Sequence, residues 1–298
     1  MPDSRAFVQH LSEALPYLQR FFGKTLVIKY GGAAMDQAEA RLAFFQDMVL
    51  LRQVGIKPVV VHGGGPMITA MLKRVGKTTE FIEGLRVTDA ETVGITEMVL
   101  AGAINKGIVA EINRQGGRAV GISGKDGNLI EAVKHRPTRP GQDPARPEDG
   151  IDIGFVGDVS RVNPALLEAL DNSGFIPVVA PLGVGSQGET YNINADTVAG
   201  AVAGALRAEK LILMTDTPGV LRDPKDPATL ISSLSLPEIE RLTREGVLSG
   251  GMIPKIAACR QALEAGCKVC HIIDGRVPHA ALLEIFTDAG VGTLVTLS

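Results

Sequence analysis

Two lysines stand where a phosphoryl group could meet fixed positive charge. Lys29 lies near the end of the β-branched run Thr25-Leu-Val-Ile-Lys-Tyr30, just ahead of Gly31-Gly32. Lys255 follows Gly250-Gly251-Met252-Ile-Pro254. Pro254 marks a helix start and so puts Lys255 in a first turn, where the macrodipole disfavours a cation; an anionic ligand would supply the missing reason. A third cluster, Gly63-Gly64-Gly65, follows the run Lys57–His62 and opens a helix with Pro66 near its first position. Glycine at the C-terminal edge of a strand lets backbone N–H groups approach an anion. On chemistry alone, phosphate binding stands level with the plainer reading of tight turns beside a surface lysine. Arg86, in Leu85-Arg86-Val87-Thr88-Asp89, is suited to gripping a carboxylate. Asn192-Ile-Asn194-Ala-Asp196 sets two amides on one face of an extended segment, with Asp196 expected at the cap of the next helix. Capping alone is the simpler account of Asp196.

Three other pattern matches carry less. Gly183-Val-Gly-Ser-Gln-Gly188 has dinucleotide-fingerprint spacing, but strand-like Glu189–Ile193 follows it where that fingerprint must open a helix, so a hairpin turn is expected. Gly76-Lys77-Thr78 lies after a helical stretch instead of before one and lacks the first glycine of a P-loop. Cys267-x-x-Cys270 runs into a strand and has no second pair to complete a zinc site, which makes burial the better reading.

The elements that position these residues read as alternating strands and helices. Buried-strand runs are expected at 25–30, 57–62, 118–122, 175–180, 210–215 and 268–273. Such short, unbroken apolar runs imply an α/β fold with a mainly parallel sheet covered on both faces. Residues 4–22 read as an amphipathic helix, with Phe7, Leu11, Leu15, Leu18 and Phe22 on one stripe and Pro16 kinking or dividing it. His135–Gly150 holds four prolines and no apolar period, as an exposed loop or small flap, before strand signals resume over Ile151–Val162. A lobe boundary fits after the Asp196–Leu206 helix.

Composition excludes several classes. The 298 residues, 45% hydrophobic and 21% charged, suffice for two lobes or one large α/β domain. A formal charge of −3 excludes a general nucleic-acid binder, and three cysteines exclude a disulfide framework. No apolar run approaches the ~20 residues of a membrane span, and the acidic N-terminus lacks a signal-peptide core. A soluble, cytoplasmic protein is expected.

Taken together, Lys29-Tyr-Gly-Gly32, His62-Gly-Gly-Gly-Pro66, Gly84-Leu-Arg-Val-Thr-Asp89, Asn192–Asp196, Thr215-Asp-Thr-Pro-Gly219, Gly250–Lys255 and His271-Ile-Ile-Asp-Gly-Arg276 resemble the amino-acid kinase superfamily. Gly84–Asp89 and Asn192–Asp196 resemble its N-acetylglutamate kinase branch. The resemblance spans nearly the whole chain. It implies a three-layer αβα sandwich, with residues 1–22 as an oligomerisation helix, 23–206 as a lobe for acetylglutamate binding and dimerisation, and 207–298 as a lobe for nucleotide and arginine. The reaction implied moves the γ-phosphoryl group of ATP, with Mg²⁺ riding on its phosphates and no direct protein ligand, onto the side-chain carboxylate of N-acetyl-L-glutamate. This is the second step of arginine synthesis by the acetylated route. By resemblance, Lys29 and Lys255 stabilise the transferring group and Asp196 holds both lysines. Gly32, Gly64 and Gly65 present N–H groups. Arg86 binds the substrate's α-carboxylate and Asn192 its acetamido group, with Asn194 also in the substrate site. Gly31, Gly32, Thr215, Asp216, Gly219, Gly250, Gly251 and Met252 belong to the phosphate and nucleotide site. An N-terminal helix of this kind accompanies arginine-inhibited, hexameric members, which points to an arginine site at Tyr17, His271, Glu284 and Gly290. A PII-type signalling partner stays open.

The chemistry agrees with that resemblance. A carboxylate nucleophile is ionised near pH 7, given a reference pKa of about 4.3, so no general base is required, and none of the five histidines sits in a motif that offers one. Positioning and positive charge are the needed equipment. A sister kinase for another acceptor would lack Arg86 and Asn192 in these contexts, a non-catalytic amino-acid-binding regulator would have lost a lysine, and a nicotinamide oxidoreductase would need the Gly183 turn to open a helix.

Overall fold

Strands that bury both faces need no polar alternation, and the six apolar runs become six neighbouring strands. A computed structural model describes residues 4–35, 37–137, 150–287 and 290–298. Its main sheet holds β1 (Thr25–Tyr30), β2 (Lys57–His62), β3 (Ala119–Ser123), β4 (Ile176–Ala180), β5 (Lys210–Thr215), β6 (Ser233–Ser235), β7 (Val269–Asp274) and β8 (Thr293–Thr296). The spatial order is β6-β8-β7-β5-β1-β2-β4-β3. Every pairing is parallel except β7 with β8. Only the two short outer strands, β6 and β8, went unread in the sequence.

Alternation along β1 sorts its side chains between two cores. Leu26, Ile28 and Tyr30 join Phe44, Met48 and Leu51 of the Ala38–Gln53 helix. Val27 turns the other way, toward Val198 and Val202 of the Ala195–Ala205 helix and Ala262 of the Met252–Glu264 helix. Two cores on opposite faces of one sheet make the expected three-layer αβα sandwich. A residue two beyond Val27 must share its face, which aims Lys29 at the start of the Ala195–Ala205 helix.

A second sheet, of Thr190–Asn192, Leu182–Val184, Ile130–Lys134 and Gly157–Val162, flanks the first. Thr190–Asn192 and Leu182–Val184 are antiparallel, so the Gly183–Gly188 glycines do form a hairpin turn. Residues 151–156 do not form the expected strand. Gly154 has φ 81° and its segment makes only single bridges, to Thr88 and from Val156 to Asn192, because it must cross between two substructures. Of the loop expected over 135–150, residues 138–149 lie outside the described residues.

The N-terminal stripe is divided at Pro16, as expected, but differs in which residues it buries. Pro16 sits at the start of a second helix, Leu15–Phe21, which follows Ser4–Glu13. Phe21, not Phe22, is buried; Phe22, Leu11 and Leu15 are exposed. The Phe7 side chain lies outside the described residues. One helical stretch reaches membrane length although charged residues such as Glu97 and Lys106 interrupt it. Ala90–Arg114 runs as one helix long and apolar enough to cross a membrane by length and composition. Here Val99, Leu100, Ile104, Ile108 and Ile112 pack it into the core. Its middle, Met98–Ile104, is a π-helical turn between the α-helical Ala90–Glu97 and Asn105–Arg114.

Candidate active site

The parallel pairing of β1 with β2 puts Tyr30 beside His62, so Gly31-Gly32 and Gly63-Gly64-Gly65 leave the sheet side by side. The β2 glycines feed the Gly65–Arg74 helix, whose N-terminus therefore opens at the sheet's C-terminal edge. Exposed backbone N–H groups and the helix dipole make that edge electropositive. Gly64 is glycine for space. A Cβ there would stand 2.4 Å from Ile104 Cδ1 and 2.7 Å from Leu100 Cδ2.

Asp196 organises the charge. Its Oδ1 lies 3.0 Å from Lys29 Nζ and its Oδ2 3.2 Å from Lys255 Nζ, with all three side chains largely withdrawn from solvent. Burial alone would raise the Asp196 pKa, but the two ammonium groups prevail and hold the carboxyl below its ordinary value. The expectation that Asp196 caps its helix is wrong. Asn194 is the N-cap, its Oδ1 accepting from the Asp196 and Thr197 N–H groups at 2.8 and 3.3 Å. That shift of two residues leaves the Asp196 carboxylate free for the lysines. Lys255 also donates to Gly251 O at 3.3 Å, which ties it to its own helix start.

Beside this triad lies a cavity of 240 Å³, lined among others by Lys29, Gly64, Gly65, Arg86, Asn192 and Asp196. Gly32 and Asn194 also face it. Its volume is under the roughly 300–1,000 Å³ of drug-sized pockets and suits a small metabolite. Arg86 is buried, donating through Nη2 to Thr69 Oγ1 at 2.8 Å and Gly65 O at 3.2 Å, and stacking over Phe81 at 4.7 Å. Its Nη1 is buried with no hydrogen-bond partner among the described residues, and burial lowers the guanidinium pKa. A buried unpaired guanidinium nitrogen is costly, and a carboxylate would satisfy it.

The remaining residues expected at the nucleotide site are not on this lining. Thr215 ends β5, its hydroxyl donating to Asp216 Oδ1 at 3.2 Å, and Gly219 closes the following turn with φ 154°. Gly250 and Gly251 precede the helix that Met252 begins. Gly31 packs against Gly63 without facing the cavity. Lys77 of the Gly76-Lys77-Thr78 turn is paired with Asp89 and Glu91. Cys267 and Cys270 are buried free thiols, as expected.

A separate 400 Å³ cavity gathers Tyr17, His271, Glu284 and Gly290 between the N-terminal helix and the chain's last elements. Glu284 is buried, not solvated. Its Oε1 lies 2.7 Å from His271 Nε2 and 2.9 Å from Lys210 Nζ, and Val291 N–H donates to Oε2 at 3.1 Å. Burial opposes ionisation, yet His271 and Lys210 bring the carboxyl down to about 2. His271 is pushed down by burial, and its Nδ1 has no hydrogen-bond partner among the described residues. The sequence reading missed Lys210. Its only signal was a lysine at the entry of an otherwise apolar strand.

An αβα sandwich with a doubly lysine-bound carboxylate at the C-terminal edge of its sheet offers fixed positive charge to an anionic group, and the comparisons give its class. The amino acid kinase family profile matches residues 24–274. The acetylglutamate kinase of Syntrophobacter fumaroxidans is 60% identical over 284 residues, 95% of this chain and 94% of that protein. That of Moorella thermoacetica is 58% identical over 287 residues, covering 96% and 95%. The chain belongs to the amino acid kinase family, in its acetylglutamate kinase group. Among solved structures, the N-acetylglutamate synthase of Neisseria gonorrhoeae with coenzyme A and N-acetyl-glutamate superposes with TM-score 0.81 at 29% identity, over 97% of this chain and 63% of that one. The same synthase with coenzyme A and L-arginine gives 0.76 at 26% identity, over 98% and 66%. Carbamate kinase of Giardia lamblia, at 0.63 and 17% identity over 92% and 98%, shares the fold.

Proposed function

We propose that this kinase transfers the γ-phosphoryl group of ATP, accompanied by Mg²⁺, to the side-chain carboxylate of N-acetyl-L-glutamate, giving N-acetyl-L-glutamyl 5-phosphate in the second step of arginine biosynthesis. The observation that carries this reading is the Lys29–Asp196–Lys255 triad beside a small cavity into which a buried arginine brings an unpaired nitrogen. The ionised carboxylate forms a bond to the γ-phosphorus as the bridging oxygen leaves with ADP. No proton needs removal. The two ammonium groups and the Gly32, Gly64 and Gly65 N–H groups offset charge on the transferring oxygens. Arg86 grips the α-carboxylate, Asn192 the acetamido group, and Asn194 keeps Asp196 in place through the cap. ATP is held by Thr215–Gly219 and Gly250–Met252, and Mg²⁺ by its phosphates. On this reading the lobe division falls after Leu206.

Arginine is proposed as a feedback inhibitor bound in the second cavity. Support comes from the four residues it gathers, from the acidic Glu284 that can exchange its present partners for a guanidinium, and from the arginine-bound synthase neighbour. The exposed Leu11, Leu15 and Phe22 support a role for the N-terminal helices in assembling a cytoplasmic homo-hexamer. Coupled ADP release with N-acetylglutamate, glutamate, aspartate and carbamate, with and without arginine, tests both. Turnover of carbamate or free glutamate in preference to N-acetylglutamate overturns the substrate; unchanged turnover with arginine overturns the inhibition.

A further inference from the structure

Behind the β2 glycines lies a buried polar network that the phosphoryl-transfer scheme does not use. His62, the last residue of β2, is fully buried, and its Nδ1 stands 2.9 Å from Gly63 O. A carbonyl can only accept, so Nδ1 carries the proton and Nε2 presents a lone pair. That lone pair meets Asn105 Nδ2 at 3.2 Å. The Asn105 amide is oriented independently, because Nδ2 also donates to Val178 O at 2.9 Å while Oδ1 accepts from Lys106 Nζ at 3.2 Å. The tautomer of His62 is thereby dictated by an asparagine on another element.

Two features of the backbone make room for this arrangement. A Cβ on Gly121, inside β3, would fall 1.8 Å from Asn105 Oδ1, so that strand carries glycine where the amide must approach. The π turn Met98–Ile104 ends at Asn105. Its extra residue rotates the helix beyond it by about 100° relative to an unbroken α-helix, a device concentrated at functional sites. The same turn brings Ile104 and Leu100 against Gly64.

We infer that His62 and Asn105 are positioning residues that fix the plane of the Gly63–Gly64 peptide, so that the Gly64 N–H is aimed at the transferring phosphoryl group. The peptide is trans, so a carbonyl held toward the imidazole sends the N–H the opposite way, to the cavity that Gly64 lines. Tyr30 O, accepting from the Gly63 N–H at 2.8 Å, anchors the other side of the glycine. Burial pushes the His62 ring down to about 4, which keeps it neutral across the working range and preserves the acceptor that Asn105 needs. A donor aimed before the reaction starts needs no reorganisation in the transition state. This inference rests on the proposed role of the glycine loop in phosphoryl transfer.

The test compares two amides at one position in the full-length enzyme. His62→Asn places an amide nitrogen near the Nδ1 position, and His62→Gln places one near Nε2. Loss of the hydrogen bond to Gly63 O should lower kcat about tenfold or more in His62→Gln, with KM for both substrates within about threefold, and His62→Asn should recover most of that loss. Deuterium exchange of the Gly63–Gly65 amides should be faster in His62→Gln than in His62→Asn. Equal kcat in the two variants, or a loss expressed in KM, would overturn the inference. Should His62→Gln fail to fold, Asn105→Ser takes its place: about tenfold lower kcat is expected, and wild-type kcat would overturn it. A wild-type chain inert toward N-acetylglutamate would count against the proposed reaction instead, while the exchange comparison still decides the role of His62.

Discussion

Replacing Lys255 with alanine is the sharpest probe of the charge arrangement. In the wild-type protein two ammonium groups face one carboxylate, leaving the triad with one net positive charge for an incoming anion. Lys255→Ala cancels that excess but leaves Asp196 paired to Lys29 at 3.0 Å. Breaking a buried pair costs about 3–5 kcal/mol when it strands a charge. Nothing is stranded here, so the stability loss should stay well below that. Deleting one charged donor to a transferring oxygen should instead raise the barrier by about 3–4 kcal/mol, or 10²–10³ in kcat, by analogy with oxyanion-hole deletions. Because that contact strengthens in the transition state, KM for N-acetylglutamate should barely move. The assay is coupled ADP release at saturating ATP, with a thermal melt on the same sample. A kcat within tenfold of wild type would remove Lys255 from the mechanism, and a large fall in Tm would show that the residue is structural first.

Three further outcomes are expected. Arg86→Lys should raise the N-acetylglutamate KM at least about tenfold and leave the ATP KM nearly unchanged, since a point charge cannot reproduce a two-pronged grip; a weakened ATP affinity would move Arg86 to the nucleotide site. Glu284→Gln should lower Tm at pH 7, because buried Lys210 loses its counter-ion, at a cost of about 3–5 kcal/mol. The Glu284 pKa falls from 4.5 to about 2 in the fold, so its stabilisation is complete above 4.5 and disappears as pH drops toward 2; the Tm gap between wild type and variant must narrow over that window. Deleting residues 1–22 should leave a smaller, active assembly that arginine no longer inhibits, at a reduced Tm because buried Phe21 goes too; a truncated protein that still sediments as a hexamer or still responds to arginine would refute the assembly proposal.

What could be read in the sequence was local. Lys29, the glycine turns and six core strands announce themselves within a few residues, because a buried parallel strand and the turn after it are short-range patterns. Lys255 was visible as a cation in the wrong turn of a helix. Partnerships across the fold were not visible. Asn194 and Asp196 are both good caps, and only the observed helix start shows that the first does the capping and frees the second. Phe21 and Phe22 are chemically identical neighbours, and which one is buried depends on where Pro16 divides the helix. Asn105 sits unremarked between Ile104 and Lys106; its amide matters only because a π turn and Gly121 bring it under His62. Glu284 could be singled out in the sequence, but its buried partner Lys210 could not, because the two lie 74 residues apart.

The separation of the two lysines along the chain bears on how the enzyme comes into being. Lys29 belongs to the first strand of the sheet, Asp196 to a helix two thirds of the way along, and Lys255 to one of the last helices. Domains of a nascent chain fold from the N-terminus as it emerges. Lys29 and the glycine turns are thus in hand long before Asp196, and Asp196 before Lys255. A chain that has not yet reached Lys255 has one ammonium group facing Asp196 instead of two, and so lacks the excess positive charge that the proposed mechanism uses. On the proposed mechanism, competence for phosphoryl transfer therefore awaits the stretch of the chain that carries Lys255.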